Sequence, residues 1–125
     1  AQRRRVVYIE DNATNVEVMR GILAQRPQLQ LQAYPDGASG LAAVLADPPD
    51  LLLLDMQLPD TDGLSLLARL RASPQGAELP VVVVSANALP EQIERSRAAG
   101  VRHYLTKPVD VRELLSLLDR LLRGG

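Results

Sequence analysis

Short apolar runs alternate along this chain with longer segments whose apolar residues recur at helical spacing. The first run, Val6-Val7-Tyr8-Ile9, stops at Glu10-Asp11. A helix follows: Thr14-Asn15-Val16-Glu17 fits a capping box, and the periodic pattern continues to about Gln25, ahead of Pro27. Leu29 to Tyr34 alternates as a strand does, Pro35-Asp36-Gly37 turns the chain, and Ala38 to Ala46 predicts a second helix. Asp47-Pro48-Pro49 breaks it. Leu51 to Leu54 and Val81 to Val84 are unbroken apolar runs, the pattern of strands buried on both faces, and they stop at Asp55 and Ser85. Between them Pro59-Asp60-Thr61-Asp62-Gly63 is a turn-rich loop before a helix from about Leu64 to Ala72. Pro90 suits the first turn of a fourth helix and Gly100 its C-terminal stop. A fifth strand near Val101 to Leu105 precedes Lys107-Pro108, and a last helix covers Val111 to Leu122.

Five strand–helix units predict an α/β fold with a parallel sheet. Right-handed crossovers and helices on both faces favour the flavodoxin-like (βα)5 three-layer sandwich, with strands in the order 2-1-3-4-5. The first and third strands are then neighbours, which sets Asp11 beside Asp55. Because the carboxyl ends of parallel strands share one edge, Glu10, Asp11, Asp55, Ser85 and Lys107 are all expected there.

Composition narrows the function classes. A length of 125 residues suits one domain with its own core. That core is aliphatic, with three Tyr and neither Phe nor Trp, which argues against stacking of bases or flavins. A net charge of -1 offers no global field for nucleic acid or an anionic membrane, and Arg3-Arg4-Arg5 reads as a solvated lead-in to the first strand. The absence of Cys excludes disulfides and thiolate metal sites and fits a cytoplasmic location. No apolar stretch approaches the ~20 residues of a membrane span. The start at Ala1 and the end at Arg123-Gly124-Gly125 lead to the expectation of a fragment of a longer protein.

The strand ends carry the chemistry. Glu10, Asp11 and Asp55 form a set of hard oxygen ligands without His or Cys, which suits Mg²⁺. A cation relieves the repulsion among three carboxylates and leaves an ionised one able to attack phosphorus. Asp55, at the end of an apolar strand, is the candidate nucleophile. Ser85 can donate a hydrogen bond to a phosphoryl oxygen, and Lys107, the one Lys among 14 basic residues, supplies a point charge. Taken singly, each has a plainer reading as a helix cap or a surface charge. The conjunction, one such residue per strand end, favours the chemical reading.

These residues carry a resemblance to the receiver domains of two-component response regulators over nearly the whole chain. The signatures are Ile9-Glu10-Asp11-Asn12, Leu54-Asp55-Met56 with Leu58-Pro59-Asp60-Thr61-Asp62-Gly63, Ser85-Ala86-Asn87-Ala88, and Lys107-Pro108. The resemblance implies that Asp55 accepts a phosphoryl group from a phosphohistidine on a sensor histidine kinase or histidine phosphotransfer domain. It assigns Mg²⁺ to Asp11 and Asp55, with the Gln57 backbone carbonyl and Glu10, directly or through water. It gives Lys107 and Ser85 the phosphoryl oxygens, makes Lys107-Pro108 a cis peptide, and names Ser85 and Tyr104 as the switch pair. It also points to Pro90 to Leu122 as the signalling surface and candidate homodimer face, with no direct contact to nucleic acid or membrane.

The chain departs from many receivers in having Glu10 where a second Asp is common. Gln57 and Asn87 stand at positions that vary in the family and leave the lifetime of the phosphorylated state open. His103, without a metal-ligand partner, reads as structural, and Gly37, Gly40 and Gly63 form no nucleotide fingerprint. The expected function is a phosphoacceptor switch rather than an enzyme acting on a separate substrate. A phosphorylation-independent adaptor is the alternative, and a small-molecule phosphatase lacks an identifiable general acid. The Glu10-Asp11-Asn12 and Ser85-Ala86-Asn87-Ala88 segments are similar to receivers of hybrid histidine kinases. A stand-alone regulator, or one with a DNA-binding output domain, is the alternative parent.

Overall fold

In the computed structural model, which describes residues 3–122, five strands and five helices alternate: β1 (Arg4–Ile9), α1 (Ala13–Leu23), β2 (Leu29–Tyr34), α2 (Gly37–Ala46), β3 (Leu51–Leu54), α3 (Gly63–Arg71), β4 (Val81–Ser85), α4 (Pro90–Ala98), β5 (His103–Thr106) and α5 (Val111–Leu121). The strands are parallel in the order β2-β1-β3-β4-β5. Arg123-Gly124-Gly125 and Ala1, on which the expectation of a fragment rested, lie outside the described residues.

Alternation along each strand divides the core in two. Val6, Tyr8, Leu51, Leu53, Val82 and Val84 pack with Met19, Ile22 and Leu23 of α1 and with Leu114, Leu115, Leu117 and Leu118 of α5. Val7, Ile9, Leu52, Leu54, Val81 and Val83 pack with Leu41 and Val44 of α2 and Leu66, Leu67 and Leu70 of α3. The strands β3 and β4 are buried from end to end, as their unbroken apolar runs predict. Gly40 lets α2 approach β1 closely, because a Cβ there would sit 2.5 Å from Ile9 Cδ1.

Four local expectations are corrected. The N-cap of α1 is Asn12, whose side chain accepts from the Asn15 N–H at 3.0 Å, so Thr14 and Glu17 lie inside the helix rather than forming a capping box. Glu17 faces Arg20 instead, at 3.7 Å. The same helix ends at Leu23, two residues before the expected Gln25. Arg4 and Arg5 are part of β1, not a solvated lead-in: Arg4 pairs with Asp50 at 3.7 Å, Arg5 pairs with Asp47 at 3.3 Å, and the Arg5 N–H donates to Asp50 at 2.7 Å.

The fourth correction concerns β5, which begins at His103 rather than Val101. Gly100 adopts φ +91°, its N–H donates to the Arg97 carbonyl, and the Val101 N–H reaches back to Ser96, both at 3.0 Å. This doubly bonded glycine stop keeps Val101 out of the strand ladder.

Candidate active site

Register brings the predicted residues together. Ile9 pairs with Leu54 across β1 and β3, so Glu10 and Asp55 leave the sheet side by side, and the Asp55 N–H donates to the Ile9 carbonyl at 3.1 Å. On the other side Ser85 pairs with Thr106, and the Lys107 N–H donates to the Ser85 carbonyl at 2.9 Å. The Lys107-Pro108 peptide is cis.

One carboxylate oxygen from each of Glu10, Asp11 and Asp55 lies within 4.8 Å of the others. Glu10 and Asp55 are buried, whereas Asp11 is exposed at the mouth. Lys107 Nζ donates to Glu10 Oε1 at 2.6 Å and to Asp55 Oδ2 at 3.4 Å. Asp55 Oδ1 accepts the Gln57 N–H at 3.2 Å. Asn12, Asn15, Gln57, Leu58, Pro59 and Ala86 complete the walls of a cleft of about 380 Å³. A larger hollow of about 730 Å³ lies at the opposite edge of the sheet, against Arg71, Arg97, Arg102 and His103, and holds none of the predicted site residues.

The two buried carboxyls are shifted in opposite directions. Burial raises the Glu10 pKa, but the Lys107 ammonium and the Asn12 N–H outweigh it and bring the carboxyl down to about 2. Burial pushes Asp55 up to about 6; the Gln57 N–H and Lys107 oppose that rise, while Glu10, as hydrogen-bond acceptor and like charge, adds to it. Glu10 is therefore the ionised partner of Lys107, and Asp55 holds its proton more readily than an ordinary carboxylate.

Two predicted residues stand apart from this cluster. Ser85 is fully buried, and its hydroxyl oxygen accepts the Asn87 N–H at 3.1 Å. The half-buried Tyr104 donates its hydroxyl to the Asn87 carbonyl at 2.6 Å. His103 is half-buried at the start of β5, away from the cleft; burial lowers its pKa, and Arg120 and Arg102 add to that.

Residues the sequence reading passed over hold Glu10. Tyr8 donates its hydroxyl to Glu10 Oε1 at 3.0 Å, Asn15 Nδ2 donates to the same oxygen at 3.2 Å, and the Asn12 N–H donates to Oε2 at 3.2 Å. Strand periodicity carried a signal for Tyr8, since residues two apart share a face of the sheet.

The response regulator receiver domain family matches residues 6–119. The chain belongs to it. This receiver is 35% identical over 123 residues to the transcriptional regulatory protein CseB of Streptomyces coelicolor, covering 98% of this chain and 51% of that protein. It is 30% identical over 120 residues to the histidine-protein kinase BarA of Escherichia coli K12, covering 96% of this chain and 13% of the kinase. The receiver thus spans about half of one relative and a small part of the other. Its backbone is similar to that of the receiver domain of sensor histidine kinase PA1611 from Pseudomonas aeruginosa PAO1, with a TM-score of 0.87, 29% identity, and coverage of 96% of this chain and 98% of that one. That structure has a magnesium ion coordinated in its active-site cleft. Among the described residues, no helix of this receiver is long and apolar enough to cross a membrane.

Proposed function

We propose that Asp55 accepts a phosphoryl group from a phosphohistidine of a sensor histidine kinase or histidine phosphotransfer domain, at a Mg²⁺ site formed by Asp11 and Asp55 with Glu10 and the Gln57 carbonyl. The observation that carries this reading is the convergence of three carboxylate oxygens within 4.8 Å, with Lys107 bridging two of them. An all-oxygen donor set that is partly open to solvent fits Mg²⁺, which keeps several waters. When bound, the cation offsets the carboxylate charges and those of the incoming phosphoryl oxygens.

The residues of the chain do the rest. Asp55 gives up its proton to solvent water, one carboxylate oxygen forms the new O–P bond, the N–P bond of the donor breaks, and the imidazole leaves with the electron pair. Lys107, already 3.4 Å from Asp55 Oδ2, turns from Glu10 toward a phosphoryl oxygen. Ser85 supplies a hydroxyl to another, which releases the Asn87 N–H it now accepts. Tyr104, bonded to the same Asn87, rotates inward as that loop shifts. The readout surface is the face from Pro90 to Leu122, which also serves as the homodimer face. The lengths of CseB and BarA support a receiver that works as one part of a longer signalling protein.

Labelling by a small acyl phosphate tests the reading. With Mg²⁺ the protein gains one phosphoryl group by intact mass, and both Asp55→Asn and removal of Mg²⁺ abolish the gain. Undiminished labelling of Asp55→Asn would overturn the assignment.

A further inference from the structure

We infer that Tyr8 is a positioning residue for the cation site: its buried hydroxyl, together with the Asn15 amide, fixes the Glu10 carboxylate so that Oε2 is the oxygen available to Mg²⁺ or its water shell. The inference rests on the Mg²⁺ reading of Glu10 above. Tyr8 is 1% exposed, paired with Ala33 and Leu53 on the flanking strands and embedded in the aliphatic core against α1 and α5. Packing there asks only for the ring. The hydroxyl would be costly to bury alone, and its partner is Glu10.

The bonds to Glu10 are unevenly distributed. Oε1 accepts from Tyr8, Asn15 and Lys107, three donors on an oxygen with two lone pairs. Oε2 accepts the Asn12 N–H and keeps capacity for a further partner, which the neighbouring Asp55 carboxyl or a cation can fill. Glu also has one more rotatable bond than the Asp common at this position, and ordering it costs conformational entropy. Once Lys107 turns toward a phosphoryl group, Tyr8 and Asn15 are what still hold Oε1. They order the longer side chain before the cation arrives.

The test is a calorimetric Mg²⁺ titration of the wild type, Tyr8→Phe, Glu10→Asp and the double variant, with thermal stability measured separately in chelator. Tyr8→Phe is expected to raise the Mg²⁺ Kd by about threefold to tenfold. In the Glu10→Asp background, where the shorter side chain no longer needs the tether, the same change is expected to alter Kd by less than about twofold. A Tyr8→Phe protein that is less stable yet binds Mg²⁺ like the wild type would overturn the inference, as would an equal penalty in both backgrounds. Should Tyr8→Phe fail to fold, Asn15→Ala removes a donor to the same oxygen from a half-buried position; a raised Kd supports the inference and an unchanged one overturns it. Absence of Mg²⁺ binding by the wild type would instead overturn the reading of the cation site.

Discussion

At the scale of single residues, the site is an electrostatic conflict held in place by the fold. The folded pKa of Asp55, about 6, lies above its ordinary 3.8, so the folded state binds the extra proton and loses stability as pH rises from about 4 to 6. Glu10 runs the other way: its pKa of about 2 lies below the ordinary 4.5, and the stability it contributes is lost as pH falls through that window. In chelator the thermal midpoint is therefore expected to peak near pH 4 and to fall toward pH 6 to 7, with Mg²⁺ reducing the fall. Asp55→Asn carries no charge to bury, so in chelator at pH 7 it is expected to be about 1–2 kcal/mol more stable than the wild type, an advantage that disappears near pH 4. A wild-type midpoint that climbed steadily from pH 5 to 7 without metal would contradict this account. The same competition makes each Mg²⁺ displace a proton from Asp55 below pH 6, so calorimetric affinity should weaken from pH 7.5 to pH 5.

At the scale of elements, what the sequence disclosed follows the strength of the burial pattern. The runs Leu51 to Leu54 and Val81 to Val84 leave a strand little alternative; the first stops at Asp55 in the carboxylate cluster, and the second at Ser85, which is buried apart from it. Local polar signals were ambiguous because tertiary contacts choose among them. Both Asn12 and Thr14 can cap a helix, and the choice falls on Asn12, whose own N–H is tied to Glu10. Val101 has the side chain of a strand residue, but its N–H is spent on Ser96. The supports of Glu10 were hidden for a related reason: a Tyr inside an apolar run reads as core until the position of its hydroxyl is known. Helix α4 is the least anchored element, with Ser96 its one buried residue and no side-chain cap at Leu89. Amide hydrogen exchange along α4 is expected to be faster than along α5, which buries four Leu. Equal protection of the two helices would refute that ordering.

At the scale of the whole molecule, the proposed function asks how an event at Asp55 would reach the face formed by α4, β5 and α5. A bonded chain leads away from the cleft: Ser85 accepts the Asn87 N–H, and the Asn87 carbonyl accepts the Tyr104 hydroxyl. At the opposite edge, Arg71 braces the loops by donating to the carbonyls of Gly76 and Leu79 at 2.9 and 2.7 Å, a fixed reference far from the cleft. If phosphorylation draws Ser85 toward the phosphoryl group, the Asn87 link breaks and the Tyr104 bond belongs to the resting state alone. Tyr104→Phe removes a bond worth about 0.5–1.5 kcal/mol and is expected to shift the resting equilibrium toward the activated state by about twofold to tenfold. Beryllofluoride with Mg²⁺ serves as the reference for that state. Amide resonances of Asn87 and β5 in the unliganded variant are expected to move along the line joining free and beryllofluoride-bound wild type, while those around Arg71 stay in place. Resonances that remain at the free wild-type positions, with unchanged beryllofluoride affinity, would remove Tyr104 from the path and leave the movement of Ser85 to be transmitted through its backbone bond to Lys107.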